Sequence, residues 1–323
     1  TIANSSDKDI CLMDKTPYMD RFEVRSKPIE GTGGMWLPFM DPFDPSFNAS
    51  IEKQLIDRQR EVQDPWCLGF FVDNEIKWGH ATHLAEMILK SPATQAGKKQ
   101  FLADMQKKYG NVKALNKAWG TDFASWNAFM ENRKEILTNK KNHDDFLTFN
   151  RSLVRRYYKN IREAFDKYAP GVLYMGCRFA QSNSDVLSIG EQYCDVISYN
   201  IYSHNLKHYP FPEGFDKPVM VGEFHFGARD VGMFHSSLIE VESQLERGKA
   251  YEDYVRSALE HPNFIGTHWH QFSDQATTGR FDGENFQVGF TDCCDKPYYE
   301  TIRHIRAIGY KMYEIRSGHK QPN

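Results

Sequence analysis

The chain has 323 residues, room for one large domain or two ordinary ones. Apolar residues make up 40% and charged residues 26%, and 40 basic side chains face 43 acidic ones for a net charge of −3, so there is neither the basic excess of a nucleic-acid binder nor the acidic block of a solvating tail. No apolar run approaches the roughly 20 residues of a membrane span, and aromatics at 14% suit a large core and a carbohydrate cleft equally.

In chain order, Thr1–Asn4 reads as the end of a strand, with no initiator methionine and no signal peptide before it, so the chain looks cut from something longer. Phe22-Glu23-Val24 is a weak strand candidate. Cys67–Val72 is a continuous apolar run of the kind buried on both faces of a parallel sheet. A helix is expected from Pro92 to Tyr109, capped by Ser91 and followed by Gly110. The segment 91–142 is too long for a strand-to-helix loop and is read as a helical excursion. From about Asp144 to Tyr168, Phe146, Leu153, Val154, Tyr157, Ile161, Phe165 and Tyr168 follow a 3.6-residue period, and Pro170-Gly171 stops that helix. Val172–Cys177, Val196–Tyr199, Val219–Gly222 and Phe264–Thr267 are further strand runs, and a last helix starts near Pro297.

Strands alternating with helices at this spacing predict a TIM barrel or a doubly wound sheet. No GxGxxG or GxxxxGK[ST] phosphate loop occurs, which takes weight from the nucleotide-binding version. None of the six cysteines forms a CxxC pair; Cys67, Cys177 and Cys194 lie in or beside apolar runs and read as buried free thiols.

In a barrel the chemistry gathers just after each strand. Asp73-Asn74-Glu75 follows the Cys67 run, Arg178 the Val172 run, Tyr199-Asn200-Ile201-Tyr202-Ser203-His204 the Val196 run, Glu223-Phe224-His225 the Val219 run, and His268-Trp269-His270-Gln271 the Phe264 run. Retaining glycosidases need two carboxylates about 5–5.5 Å apart, one protonated to assist the leaving oxygen and one ionised to attack the anomeric carbon. Glu75 and Glu223, each ending a strand, are the candidates. Each alone reads equally well as a strand-end ion pair. Asn74 is placed to hold a sugar 2-hydroxyl, Tyr202 to donate to Glu223, Trp269 to floor a subsite, and His225 and His204 to bond sugar hydroxyls. Arg178, Asn200 and Gln271 complete the polar set. His268-x-His270 leaves a zinc alternative open, although a Trp269 that points into the cleft turns both rings the other way. No metal or other cofactor is assigned. Asp274, Arg280 and Asp282 lie in a glycine-containing loop expected to rim the cleft.

These segments also resemble a known family. Asp-Asn-Glu at 73–75 and Gly-Glu-Phe-His-Phe-Gly at 222–227 look like the two catalytic segments of clan A glycoside hydrolases. The surrounding text, Pro-Trp-Cys-Leu-Gly-Phe-Phe-Val-Asp-Asn-Glu (65–75), Gly-Glu-Phe-His-Phe-Gly-Ala-Arg-Asp (222–230), Gly-Met-Phe-His (232–235), Thr-Gly-Arg-Phe-Asp-Gly-Glu-Asn (278–285) and Val-Gly-Phe-Thr-Asp (288–292), is closer to the β-agarases of family 50. The resemblance implies a (β/α)8 domain that cleaves β-1,4 bonds of agarose with retention, with Glu75 as acid/base and Glu223 as nucleophile. Asn74 and Tyr202 match the clan positions before the acid and beside the nucleophile.

Against that pattern residues 1–323 form a single catalytic barrel domain that lacks the first strand and part of the second and carries a helical insertion after strand four. An open barrel exposes two sheet edges, so an upstream accessory domain or an oligomer is expected to cover them. The expected partner is a galactan oligo- or polysaccharide, with no nucleic acid and no membrane, and a polymer too large to enter a cell implies a secreted or periplasmic enzyme. A β-galactosidase-like exo-enzyme on other galactosides and an inactive carbohydrate-binding fragment are the alternatives.

Overall fold

The computed structural model describes residues 1–33 and 37–318. The chain divides into two compact units, one formed by Asn4–Asp195 and the other by Thr1–Ala3 with the segment from Val196 onward.

In chain order the first unit holds α1 (Lys8–Cys11), β1 (Tyr18–Phe22), α2 (Pro45–Asp57), α3 (Gln59–Gln63), β2 (Cys67–Val72), α4 (His83–Lys90), α5 (Ala96–Tyr109), α6 (Val112–Trp119), α7 (Trp126–Glu131), α8 (Lys140–Tyr168), β3 (Leu173–Tyr174) and α9 (Ser184–Gly190). Its three strands are parallel in the order β1-β2-β3. The β2 run coincides with the sequence expectation, whereas the weak run at 22–24 marks the end of β1 and the run at 172–177 pairs as a ladder over two residues only. α8 starts earlier than expected because Asn139 caps it: its side chain accepts the Lys141 and Asn142 amides, and Asn142 returns a bond to the Asn139 N–H at 2.7 Å. α5 begins at Ala96; Ser91 instead closes α4. The segment 91–142 carries α5, α6 and α7, ended in turn by Gly110, Gly120 and Asn132.

The aromatic face of α8 makes this unit's core. Tyr157 packs edge-on against Phe47 of α2, and Trp78 stacks on Tyr158 at 5.6 Å and meets Tyr157 edge-on at 5.3 Å. Phe165 packs against Phe22, Phe70 and Tyr174, one ring from each strand.

The second unit holds β4 (Ile197–Asn200), β5 (Val219–Phe224), α10 (Gln244–Glu260), β6 (Phe264–Trp269) and α11 (Tyr299–Ser317), with the strands parallel in the order β4-β5-β6. Ile2, expected at a strand end, makes an isolated bridge. Phe224 of β5 stacks on Tyr254 of α10 at 4.2 Å, and α11 packs along α10.

β5 does not run evenly. Between Tyr199 and Asn200 of β4 it advances from Val221 to Glu223, and between Thr267 and Trp269 of β6 it advances from Val221 to Phe224. Both neighbours therefore count one residue fewer than β5 around Gly222-Glu223. This is a one-residue bulge, a device that re-aims side chains beside active sites.

All six cysteines are free; Cys11, Cys67, Cys177 and Cys194 are buried and the Cys293-Cys294 pair is exposed.

Candidate active site

The C-terminal ends of the parallel strands carry the polar residues that the sequence singles out. In the first unit the turn after β2 is held from both sides. The Asp73 N–H donates to Phe22 O of β1 at 2.8 Å, and the Val72 N–H donates to Gly176 O beyond β3 at 2.9 Å. The Glu75 N–H reaches Cys177 O and Arg178 O, each at 3.3 Å. Asp73, Glu75 and Arg178 all have positive φ, at 64°, 51° and 50°. Three non-glycine residues in this region mark a backbone held by its surroundings, as functional turns often are.

Asp73 is the pin. Its buried carboxylate accepts the Val24 N–H at 2.8 Å and the Tyr157 hydroxyl at 2.7 Å. Burial pushes its carboxyl up to about 6, with those two bonds pulling the other way and Glu23 adding to the rise. Trp78, packed in the α8 aromatic cluster, anchors the far side of the same turn. Asn74 and Glu75 lie between these two anchors and are partly exposed. The Arg178 guanidinium lies 5.5 Å from the Phe71 ring centre and is buried. The sequence reading passes over Asp73 and Trp78 as functional positions; their signal is a buried-type residue on each side of Asn74-Glu75.

In the second unit the Tyr202 hydroxyl donates to Glu223 Oε2 at 2.6 Å. A bond of this kind favours the ionised carboxylate and fixes its rotamer. Asn200, buried at the end of β4, is the Cα partner of Glu223 across the ladder. The Tyr202 ring lies 4.6 Å from that of His225. His225 Nδ1 is 2.9 Å from the His270 carbonyl, and the Leu238 N–H donates to Nε2 at 3.1 Å. A carbonyl only accepts, so Nδ1 carries the proton and Nε2 is the acceptor. Burial, with His270 adding, pushes this imidazole down to about 3. His225 is thus a neutral brace with both nitrogens turned to backbone, a different use from the sugar contact expected of it. It ties the chain after β5 to the chain after β6 and to the loop at Leu238. Gly227 serves the same junction: a Cβ there would stand 1.9 Å from Ser236 O.

His204 is exposed, with its ring 6.4 Å from Phe226. Gln271 donates to Ser273 O at 2.9 Å. His268 Nε2 and Thr1 Oγ1 are 2.9 Å apart, while the His270 ring lies along His225 at 6.0 Å, so the two imidazoles of His268-x-His270 have separate partners. Trp269 lies against Phe224, Tyr251 of α10 and Phe290, and its indole N–H donates to Val288 O at 2.8 Å. The structure therefore brings Asn200, Tyr202, Glu223, His225 and His270 together, and sets Trp269 among the residues that pack on α10. Asp274 is an internal acceptor for the Gly289 N–H at 2.7 Å and the Tyr298 hydroxyl at 2.6 Å. Among the described residues no cluster of three or more His, Cys, Asp or Glu is arranged to hold a metal.

Each unit thus carries a carboxylate at the C-terminal end of its parallel strands, Glu223 held by Tyr202 in one and Glu75 on a constrained turn in the other. The family model for β-galactosidases of glycoside hydrolase family 42 matches residues 48–224. β-Agarase B of Vibrio sp. strain JT0107 is 35% identical over 303 residues, covering 87% of this chain and 31% of the relative. β-Agarase A of the same strain is 34% identical over 344 residues, covering 97% of this chain and 34% of the relative. A solved exo-β-agarase superposes with a TM-score of 0.89 at 31% identity, covering 98% of this chain and 45% of that one. The chain belongs to the glycoside hydrolases of the TIM-barrel type that this family model describes, and over its length it is similar to β-agarases, solved structures of family 50 among them. It spans about a third of the length of the two Vibrio relatives.

Proposed function

We propose that residues 1–323 are one catalytic domain, with 91–142 as a helical excursion from its barrel, that hydrolyses β-1,4-galactosidic bonds of agarose or neoagaro-oligosaccharides by double displacement. Glu223 attacks the anomeric carbon and forms a glycosyl ester while Glu75 protonates the departing sugar oxygen. Glu75 then takes a proton from water, and the resulting attack on the ester restores Glu223 and releases the sugar with its configuration retained. Asn74, Arg178, Asn200, His204 and Gln271 bind hydroxyls; Tyr202 keeps Glu223 ionised; His225 holds Tyr202 and the adjoining loops. The observation that carries the reading is the 2.6 Å bond from Tyr202 to Glu223, which a nucleophile needs and a general acid does not.

Glu223→Ala abolishes turnover, and azide restores it with a glycosyl azide as product. Full activity of that variant on a neoagaro-oligosaccharide refutes the assignment. Glu75→Ala slows substrates with poor leaving groups far more than aryl glycosides; equal loss on both removes its acid role. The family model's description favours a second reading, an exo-enzyme on plain β-galactosides, and comparing hydrolysis of agarose with that of lactose decides between them. An enzyme acting on a polymer too large to enter a cell is secreted or periplasmic, and among the described residues no helix is long and apolar enough to cross a membrane.

A further inference from the structure

The loop after β6 carries charged residues that catalysis as described leaves unused, among them Asp274, Arg280, Asp282 and Glu284. Asp274 is spent inside the fold, whereas Arg280 and Asp282 surround Phe281, whose side chain is 87% exposed. Leaving a phenylalanine in water forgoes the stabilisation that burial brings, so its position calls for a reason. The loop beneath it is firmly built. Backbone bonds run from the Gly279 N–H to Ala276 O, from the Arg280 N–H to Glu284 O at 2.7 Å, and from the Gly283 N–H to Arg280 O at 3.0 Å. Gly279 and Gly283, at φ of 90° and 88°, supply the left-handed turns. The Arg280 guanidinium grips Asp282 through two bonds and Glu284 Oε2 at 2.8 Å, and Gln275 donates to the same Glu284. That guanidinium stands 5.8 Å from the Phe281 ring centre.

The loop also adjoins the nucleophile's surroundings. Phe286, a few residues on, meets the His225 ring edge-on at 5.8 Å and is bridged to His235. Glu223 is close enough to be one of the charges that favour the protonated Arg280. Galactose presents one flat face of C–H groups, because its axial 4-hydroxyl leaves the opposite side clear. We propose that Phe281 is a stacking platform for a galactose residue of the bound chain, set outside the cleavage position, and that the Arg280–Asp282–Glu284 cluster beneath it makes this subsite selective for neutral galactan. One guanidinium against two carboxylates leaves the cluster negative, so a sulfate ester there meets like charge. The inference rests on the galactan reading above.

Electrophoresis of the folded chain through native gels containing agarose tests it, on a Glu223→Gln background so that the polysaccharide survives. Phe281→Ala weakens the retardation about three- to tenfold, the range an aromatic contact commands. Phe281→Trp preserves it, and Tyr310→Ala, which removes an equally exposed ring from α11, leaves it unchanged. Gels containing a sulfated galactan retard the parent less than agarose does. Retention of Phe281→Ala equal to the parent's, or no retardation of the parent, overturns the platform; equal retention in sulfated galactan overturns the selectivity. If the parent binds agarose through Phe281 while the wild-type chain fails to cleave it, the catalytic reading falls and the platform stands. If wild type cleaves and Phe281→Ala binds unchanged, the reverse holds.

Discussion

Asp73→Asn isolates the cost of the pin behind Glu75. Asp73 is buried, and its carboxyl titrates near 6 where an ordinary aspartate titrates at 3.8. The folded chain therefore keeps this proton over a pH range in which the unfolded chain has lost it. Between those values the native state binds more protons, so stability falls as pH rises, and below about 4 both states are protonated and the group contributes no slope. Two pH units at about 1.4 kcal/mol each make the loss on the order of 3 kcal/mol by pH 7. Asparagine keeps an acceptor for the Val24 N–H and presents its amide to the Tyr157 oxygen, so the packing around β1, β2 and α8 is preserved. Urea titrations followed by circular dichroism at pH 4, 5, 6 and 7 measure wild type against variant. The variant gains on wild type by about 3 kcal/mol across that range, with most of the gain between pH 4 and 6. A difference that stays flat refutes the account, and a difference that falls with pH means that the bonds from Tyr157 and Val24 outweigh burial.

Two further substitutions separate chemistry from support. Tyr202→Phe deletes the hydroxyl on Glu223 and leaves the ring against His225; a bond to a charged acceptor is worth about 1.5–3 kcal/mol, so kcat falls about 10- to 150-fold with the melting temperature nearly unchanged. An unchanged kcat removes Tyr202 from the machinery. Trp269→Phe leaves the buried Val288 carbonyl without its indole donor and costs about 1–3 kcal/mol of stability, while KM for a neoagaro-oligosaccharide holds. A raised KM at constant stability returns Trp269 to the cleft.

What the sequence discloses about the fold depends on whether a buried surface is also an apolar one. α8 is legible because Phe146, Leu153, Val154, Tyr157, Ile161 and Phe165 are both periodic and buried. α10 escapes the reading because its buried face is built from Gln244, Arg247, Gly248, Tyr254, Ser257 and Ala258. Arg247 is accommodated there by bonds to Phe226 O and Gly289 O and by the Trp269 and Tyr298 rings. A hydrophobic period cannot register a helix whose inward side is polar and satisfied. β2 and the Val219–Gly222 stretch of β5 stand out for the opposite reason, since they are runs of apolar residues with no polar face to interrupt them.

Side-chain direction at the strand ends is where sequence reasoning stops short, and the bulge in β5 explains why. Alternation along a strand assigns faces only while the register is even. One extra residue at Gly222-Glu223 turns the count over, so Glu223 meets Tyr202 while Phe224 lies beside Trp269 against α10. His225 is hidden in another way. A histidine two residues beyond a proposed nucleophile invites a role with substrate, and nothing in its neighbours along the chain states that His270 O and the Leu238 N–H take both ring nitrogens. Those partners come from 45 residues downstream and 13 residues downstream, in segments brought together only by folding. The identities of the candidate groups are thus local information, while the constraints that aim them are long-range. A neutral imidazole fixed as the Nδ1–H form aims Tyr202 without competing for its proton, since its one acceptor nitrogen is already occupied.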